Sequence, residues 1–134
     1  MPAPTVDLRP YFIALDEIEG VIDWTEFFGN DHPVDLDIGC GRGKFLFEST
    51  VAHPEINWLG CELDYSEGRR GASRIAKRSL PNGRVLGGDA RELLSKKIAP
   101  HSVDGARVYF PDPWWKTKHK RRRLFTDEFA ELLA

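Results

Sequence analysis

The 134-residue sequence predicts an α/β protein with a mostly parallel β-sheet and flanking helices. Apolar segments of strand length alternate with segments of helical periodicity, and short links containing Gly or Pro separate them. The composition is that of a folded globular chain, because 41% of the residues are hydrophobic and 30% are charged. These observations favour a single compact domain over a fibrous or disordered chain.

The predicted elements alternate regularly after an N-terminal extension over residues 1–33. Within that extension, Asp23 is the predicted cap of a short helix that ends at Gly29. Four strands are then predicted at 34–38, 56–63, 84–88 and 103–110. Helices at 44–52, 66–79 and 91–98 lie between them, and a last helix begins near Thr126. Residues 34–134 are therefore expected to carry four strands and the helices between them.

The cellular setting is predicted from absences in the sequence. No apolar run approaches the ~18 residues of a membrane-spanning helix. The N-terminus has no basic start followed by an apolar stretch, so we expect no signal peptide. Two cysteines are too few for a disulfide framework. We therefore expect a cytoplasmic protein with reduced thiols, and we expect neither a membrane nor a metal as a partner.

A glycine-rich loop follows the first of the four strands. Gly39, Gly41 and Gly43 come directly after Asp37-Ile38 and are spaced G-x-G-x-G. This differs from the G-x-G-x-x-G spacing of dinucleotide-binding loops. Glycine lets the backbone turn sharply and approach a ligand. A tight turn with no binding role is the structural alternative.

An acidic residue lies at the end of each of three predicted strands: Asp37, Glu62 and Asp89. Ligands of such sheets bind beyond the carboxyl ends of the strands, where a carboxylate accepts hydrogen bonds from ribose hydroxyls. The Asp89 carboxylate can accept a hydrogen bond from an adenine amino group. Three acids repel a pyrophosphate but favour a nucleoside that carries an amino acid and a sulfonium cation, so the pattern predicts S-adenosylmethionine. Each acid alone is also explained as a solvated loop residue or a helix cap.

The fourth predicted strand ends in a rigid aromatic segment followed by a basic strip. Pro111 and Pro113 fix the backbone on both sides of Asp112 and aim its carboxylate, and Trp114 offers a flat face to a base. Six of the 19 Lys and Arg residues lie between 116 and 123, in a chain of net charge -2. An aromatic residue beside a basic run predicts a nucleic-acid contact. Packing tryptophans and a solvated loop are the alternatives.

Taken together, four segments resemble the bacterial tRNA (guanine-N7)-methyltransferase family: Leu36–Gly43, Leu59–Glu62, Gly88–Ala90 and Phe110–Arg122. The Pro-Asp-Pro-Trp segment and its basic strip are specific to that family, whereas class I methyltransferases in general share the glycine loop. The resemblance implies a Rossmann-like class I methyltransferase fold and S-adenosylmethionine-dependent methylation of guanine N7 in the variable loop of tRNA. Two departures are Asp37, where many members have glutamate, and Trp115, where proline or histidine is commoner.

The resemblance also implies roles for individual residues. The residues implied in cofactor binding are Asp37, Gly39, Gly41, Gly43, Glu62, Asp89, Ala90 and Asp112. Asp112 is also the implied catalytic residue. Contacts to substrate or RNA are implied for Trp114, Lys116, Lys118, His119, Lys120, Arg121, Arg122 and Arg123.

Three functional alternatives stay open at this point. A methyltransferase with another substrate typically has Asn or Asp followed by Pro-Pro-aromatic, which Pro111–Trp114 does not match. A non-catalytic fragment that binds cofactor and RNA is the second. The resemblance implies that residues 34–134 are the N-terminal portion of a methyltransferase domain with the first four strands only, because the class I fold has further C-terminal strands that we expect to be missing from this chain. A nicotinamide-dependent oxidoreductase is the third, and the loop spacing disfavours it.

Overall fold

The structure, a computed structural model, describes residues 8–108 of the chain. Its strands are β1 (Phe12–Ala14), β2 (Val34–Ile38), β3 (Asn57–Glu62), β4 (Gly83–Gly87) and β5 (Gly105–Val108). Its helices are α1 (Trp24–Phe28), α2 (Lys44–Ala52), α3 (Tyr65–Lys77) and α4 (Ala90–Glu92). The alternating α/β order predicted from the sequence is confirmed, whereas the predicted helix near Thr126 lies outside the described residues.

The strands form one sheet in the order β1-β4-β3-β2-β5, and every neighbouring pair is parallel. The four predicted strands thus lie in the order third-second-first-fourth, which is the order of a Rossmann-like half sheet. Asp37 on β2 is in register with Gly60 on one side and with Arg107 on the other. The chain changes direction across the sheet at β2, which makes the β2–β5 boundary the topological switch point.

The strand β1 is the main difference from the predicted architecture. It lies in the segment predicted as an N-terminal extension and extends the sheet from four strands to five. Val85 donates its backbone N–H to the Tyr11 carbonyl at 2.7 Å, and Phe12 and Leu15 are buried. A strand of three residues is too short to show alternation in a sequence, so only its long-range pairing reveals it.

Two hydrophobic clusters cover the two faces of the sheet. Leu46 of α2 and Ile75 of α3 pack on Val85 in one cluster. The other cluster holds Leu36, Leu59, Leu86 and the Leu93–Leu94 pair. Successive strand residues point to opposite faces, so neighbours such as Val85 and Leu86 belong to different clusters. The site at the strand ends therefore rests on a sheet that is packed on both sides.

Local sequence signals explain most element boundaries. The Asp23 carboxylate accepts hydrogen bonds from the N–H groups of Thr25 and Glu26, and Gly29 ends α1 in the left-handed conformation, as predicted. The predicted helix over 91–98 is instead one α-helical turn, α4, followed by a π-helical turn over Leu93–Lys97. Leu93 and Leu94 of that wider turn are both buried against the sheet.

Candidate functional site

The carboxyl ends of β2, β3 and β4 meet at one edge of the sheet. Gly39 donates its backbone N–H to the Cys61 carbonyl at 2.8 Å, and Gly88 donates to the Glu62 carbonyl at 3.0 Å. These bonds fasten the segments that follow the three strands side by side. Three predicted site segments, at Gly39–Gly43, Glu62 and Asp89–Ala90, therefore lie together beside the topological switch point, where ligands of such sheets bind.

The glycine loop has a backbone that other residues rarely adopt. Gly39, Gly41 and Gly43 have φ values of 74°, 56° and 76°, a region that costs L-residues roughly 1–2 kcal/mol. A Cβ on Gly43 would lie 2.9 Å from the Gly71 Cα atom, so the loop packs on α3 backbone to backbone. A Cβ on Gly41 would meet no atom of the described chain within 4 Å. Gly43 is thus needed for packing as well as conformation, whereas no residue of the described part of the chain packs on Gly41.

The Glu62 carboxylate connects the end of β3 to this loop. Its Oε1 atom accepts the Gly41 backbone N–H at 2.7 Å, and its Oε2 atom accepts the Asp64 N–H at 2.9 Å. Each carboxylate oxygen has more than one lone pair, so both can accept a further hydrogen bond. Glu62 therefore shapes the loop and still presents two acceptors to a ligand.

Asp37 is a buried carboxylate directly beneath the loop. Its side chain is 1% exposed, and neither oxygen has a hydrogen-bond partner among residues 8–108. Burial raises the pKa of the Asp37 carboxyl to about 6; the Arg107 charge lowers this pKa and the Glu62 charge raises it. Buried polar groups are normally hydrogen-bonded. A buried acid without such a bond is therefore a candidate for a functional role.

Arg107 is a cation close to Asp37. Its Nη1 atom lies 3.6 Å from the Asp37 Oδ1 atom, and its guanidinium carbon lies 3.9 Å from the centre of the Phe45 ring. Sequence analysis missed both Arg107 and Phe45. Arg107 precedes the predicted Pro-Asp-Pro-Trp segment by only a few residues, and only the register of β5 on β2 shows that it lies beside Asp37.

Asp89 lies at the third strand end and has a structural role there. Its carboxylate accepts the Arg91 backbone N–H at 2.8 Å and caps α4. A helix cap is the structural role that the sequence offers for such an acid as an alternative to ligand binding. It does not exclude ligand binding, because Asp89 is exposed and a cap uses only part of its acceptor capacity.

The outward face of α3 is basic, and sequence analysis did not single it out. Arg70, Arg74 and Lys77 are exposed and lie four and three residues apart, which places them on one stripe of the helix. The acidic residue nearest in sequence is Glu67, which forms an ion pair with Arg42 at 2.9 Å. The stripe therefore keeps a positive charge.

The predicted catalytic residue and the predicted substrate and RNA contacts lie outside the described residues. They are Asp112, Trp114, Lys116, Lys118, His119, Lys120, Arg121, Arg122 and Arg123. Within residues 8–108, no helix is long and apolar enough to cross a membrane. The same residues contain no cluster of three or more His, Cys, Asp or Glu side chains placed to hold a metal ion.

The sequence matches one protein family over most of its length. The family is described as "Putative methyltransferase", and its model matches residues 31–134.

Curated proteins that are similar to the chain carry a more specific name. The chain is 36% identical to a tRNA (guanine-N(7)-)-methyltransferase of Rhodopirellula baltica, over 95% of this chain and 49% of the relative. It is 44% identical to the protein of that name from Streptomyces coelicolor, over 88% of this chain and 44% of the relative. It is 39% identical to the protein of that name from Aliivibrio salmonicida, over 90% of this chain and 51% of the relative. The chain thus spans about half the length of the curated relatives it matches.

Proposed function

The chain belongs to the family described as "Putative methyltransferase", and we propose that it binds S-adenosylmethionine and serves the methylation of guanine N7 in tRNA. The named relatives support the tRNA substrate. The observation that carries the proposal for this chain is the hydrogen bond between Glu62 and Gly41. It combines the glycine loop and a strand-end acid into one site at the switch point of the sheet.

The described residues fit the chemistry of this cofactor. The Glu62 oxygens keep acceptor capacity for the two ribose hydroxyls. No atom of residues 8–108 lies within 4 Å of a Cβ at Gly41, so within that part of the chain the cofactor can approach the loop backbone there. The Asp37 carboxylate, which has no hydrogen-bond partner among residues 8–108, would place negative charge near the ammonium and sulfonium groups of the cofactor. The exposed Asp89 would accept a hydrogen bond from the adenine amino group.

The proposed methyl transfer needs positioning more than proton transfer. The cofactor supplies an electrophilic methyl group on its sulfonium sulfur. Guanine N7 has an in-plane lone pair and no proton at neutral pH, so the attack requires no general base. Asp112 would accept hydrogen bonds from the N1 and N2 donors of guanine, and its charge would stabilise the positive charge that develops on the ring. The N7–CH3 bond would form as the S–CH3 bond breaks and S-adenosylhomocysteine leaves, and holding N7 in line with the methyl group would contribute to the rate enhancement.

The proposed tRNA contact has two parts. The basic strip over 116–123 would hold phosphates of the tRNA backbone. Trp114 would offer a flat face to a base, and Lys116 would hold a phosphate or a base oxygen. The stripe of Arg70, Arg74 and Lys77 on α3 would hold a second stretch of backbone. Arginine suits phosphate because its planar guanidinium donates two parallel hydrogen bonds. Such contacts set affinity and orientation rather than base choice.

Ligand-induced stabilisation tests the cofactor. The chain is heated with S-adenosylhomocysteine or with NAD, and only S-adenosylhomocysteine is expected to raise the melting temperature. At 100 times its dissociation constant a ligand stabilises the folded state by ~2.7 kcal/mol. Stabilisation by NAD alone would favour the oxidoreductase alternative.

Methyl transfer tests the reaction. The chain is incubated with unmodified tRNA and S-adenosylmethionine carrying a labelled methyl group, and the nucleosides are separated. Label in 7-methylguanosine is the expected product, and Asp112→Asn is expected to reduce it far more than it reduces cofactor affinity. Label in another nucleoside or in protein would contradict the proposed substrate. Binding of tRNA and cofactor without turnover would identify the non-catalytic alternative.

A further inference from the structure

Arg107 and Asp37 form a charge pair at the switch point. They are register partners on β5 and β2, so their side chains leave the same face of the sheet next to each other. Asp37 is 1% exposed and Arg107 is 42% exposed. The guanidinium thus lies between the buried carboxylate and solvent.

The Phe45 ring fixes the position of this guanidinium. Phe45 is the second residue of α2, the helix that follows the glycine loop, and its ring centre lies 3.9 Å from the Arg107 guanidinium carbon. Cation–π contacts of this kind restrict a side chain that otherwise has much rotamer freedom. Arg107 is therefore held close to the acid by an aromatic contact as well as by charge.

We propose that Arg107 is a positioning residue for the cofactor, which keeps the buried Asp37 carboxylate ionised and so maintains a negative charge beneath the glycine loop. This inference rests on the proposed function, because the charge matters for a ligand with ammonium and sulfonium groups. Without a nearby cation, an acid that is buried and lacks hydrogen bonds favours its neutral form. A neutral Asp37 offers no electrostatic attraction to that ligand.

The other groups around Asp37 act against its ionisation. The Glu62 charge at the end of β3 raises the Asp37 pKa, as burial does. Cys40 in the glycine loop has a thiol whose pKa is raised by burial and then by the Asp37 charge, so it stays protonated and adds no charge. From α2, the uncharged Phe45 ring contacts Arg107. Within residues 8–108, Arg107 is the charge that lowers the Asp37 pKa and so favours the carboxylate form.

Titration of Asp37 in the cofactor-free chain tests the electrostatic step. Its carboxyl carbon is followed by nuclear magnetic resonance in the native chain and in the Arg107→Gln variant. We expect the midpoint near pH 6 to rise by about one pH unit in the variant, the lower end of the effect of a nearby opposite charge. Arg107→Lys keeps a cation and is the matched control, with a smaller rise. An unchanged midpoint in Arg107→Gln would overturn the proposal.

Cofactor affinity tests the consequence. The dissociation constant of S-adenosylhomocysteine is measured by calorimetry at pH values from roughly one unit below the Asp37 midpoint to about two units above it. We expect affinity to fall at acid pH in the native chain, and at a higher pH in Arg107→Gln. Asp37→Asn is expected to remove this pH dependence. Tighter binding in Arg107→Gln would instead mean that Arg107 competes with the cofactor for Asp37, which would overturn the proposal.

The two experiments separate this inference from the proposed function. If S-adenosylhomocysteine did not bind at any pH, the proposed function would fail, while the titration of Asp37 would still report on Arg107. If the affinity for the ligand had the same pH dependence in the native chain and in Arg107→Gln, the proposed function would stand and the role of Arg107 would be refuted.

Discussion

Glu62 accepts the Gly41 backbone N–H at 2.7 Å, across 21 residues of sequence. The acid that ends one strand thereby sets the conformation of the loop that follows its neighbour. Binding of a ligand to Glu62 and ordering of the loop are consequently coupled, because both depend on one carboxylate.

Glu62→Ala is expected to weaken the binding of S-adenosylhomocysteine by about 1.5–3 kcal/mol, because the variant lacks a charged acceptor. The same substitution leaves the Gly41 and Asp64 amides without this acceptor, so the free energy of unfolding also falls. Calorimetry and urea denaturation measure the two effects. Glu67→Ala, which breaks the exposed ion pair with Arg42, is the matched control and is expected to change stability by less than about 1 kcal/mol. Equal effects of both variants would contradict a special role for Glu62.

Gly43→Ala is expected to destabilise the chain more than Gly41→Ala. Both positions have positive φ, so both variants incur a strain of roughly 1–2 kcal/mol. Only at Gly43 does the added Cβ meet backbone, the Gly71 Cα atom at 2.9 Å, and neither chain segment can yield there without moving a helix. Urea denaturation of the two variants measures the difference. A larger destabilisation in Gly41→Ala would contradict the packing of the loop on α3.

Asp37 predicts a specific dependence of stability on pH. Its folded pKa of about 6 lies above the ordinary aspartate value of 3.8, so the folded state binds the proton more tightly than the unfolded state. The stabilisation from this proton is fully present below the unfolded pKa and disappears as the pH rises through the folded pKa, by about 3 kcal/mol. Relative to Asp37→Asn, the native chain is expected to lose stability over that window in urea titrations. A constant difference between the two would show that Asp37 does not titrate in the folded chain.

The basic stripe on α3 predicts a salt-dependent contact with RNA. Changing Arg70, Arg74 and Lys77 to Gln is expected to weaken tRNA binding and to reduce the log–log salt slope by about 0.7–0.9 for each phosphate that the variant no longer binds. The exposed Lys96 provides the matched control, because Lys96→Gln removes a charge elsewhere on the surface. Fluorescence anisotropy with labelled tRNA at several salt concentrations measures both slopes. A slope that falls equally per charge in both variants would indicate nonspecific attraction.

Local chemistry in the sequence determines much of this protein. The Asp23 cap and the Gly29 stop define α1, and the apolar runs define β2 to β5 to within a few residues. The G-x-G-x-G spacing indicates a loop with positive φ, which all three of its glycines have. These features are readable because each depends on neighbours in the chain. Parallel strands then place their ends at one edge, so the grouping of Gly41, Glu62 and Asp89 also follows from the sequence.

Only the tertiary structure decides which residues meet across the sheet. The strand β1 is recognisable only through its pairing with β4, because three residues carry no period. The contact of Arg107 with Asp37 depends on β5 lying beside β2, and the contact with Phe45 depends on the way α2 covers that boundary. Burial of Asp37 without a hydrogen-bond partner among residues 8–108 is likewise a result of packing. The sequence alone therefore determined which acids lie at the strand ends. The tertiary structure decided the raised pKa of Asp37, because a pKa depends on burial and on charges that are distant in the chain.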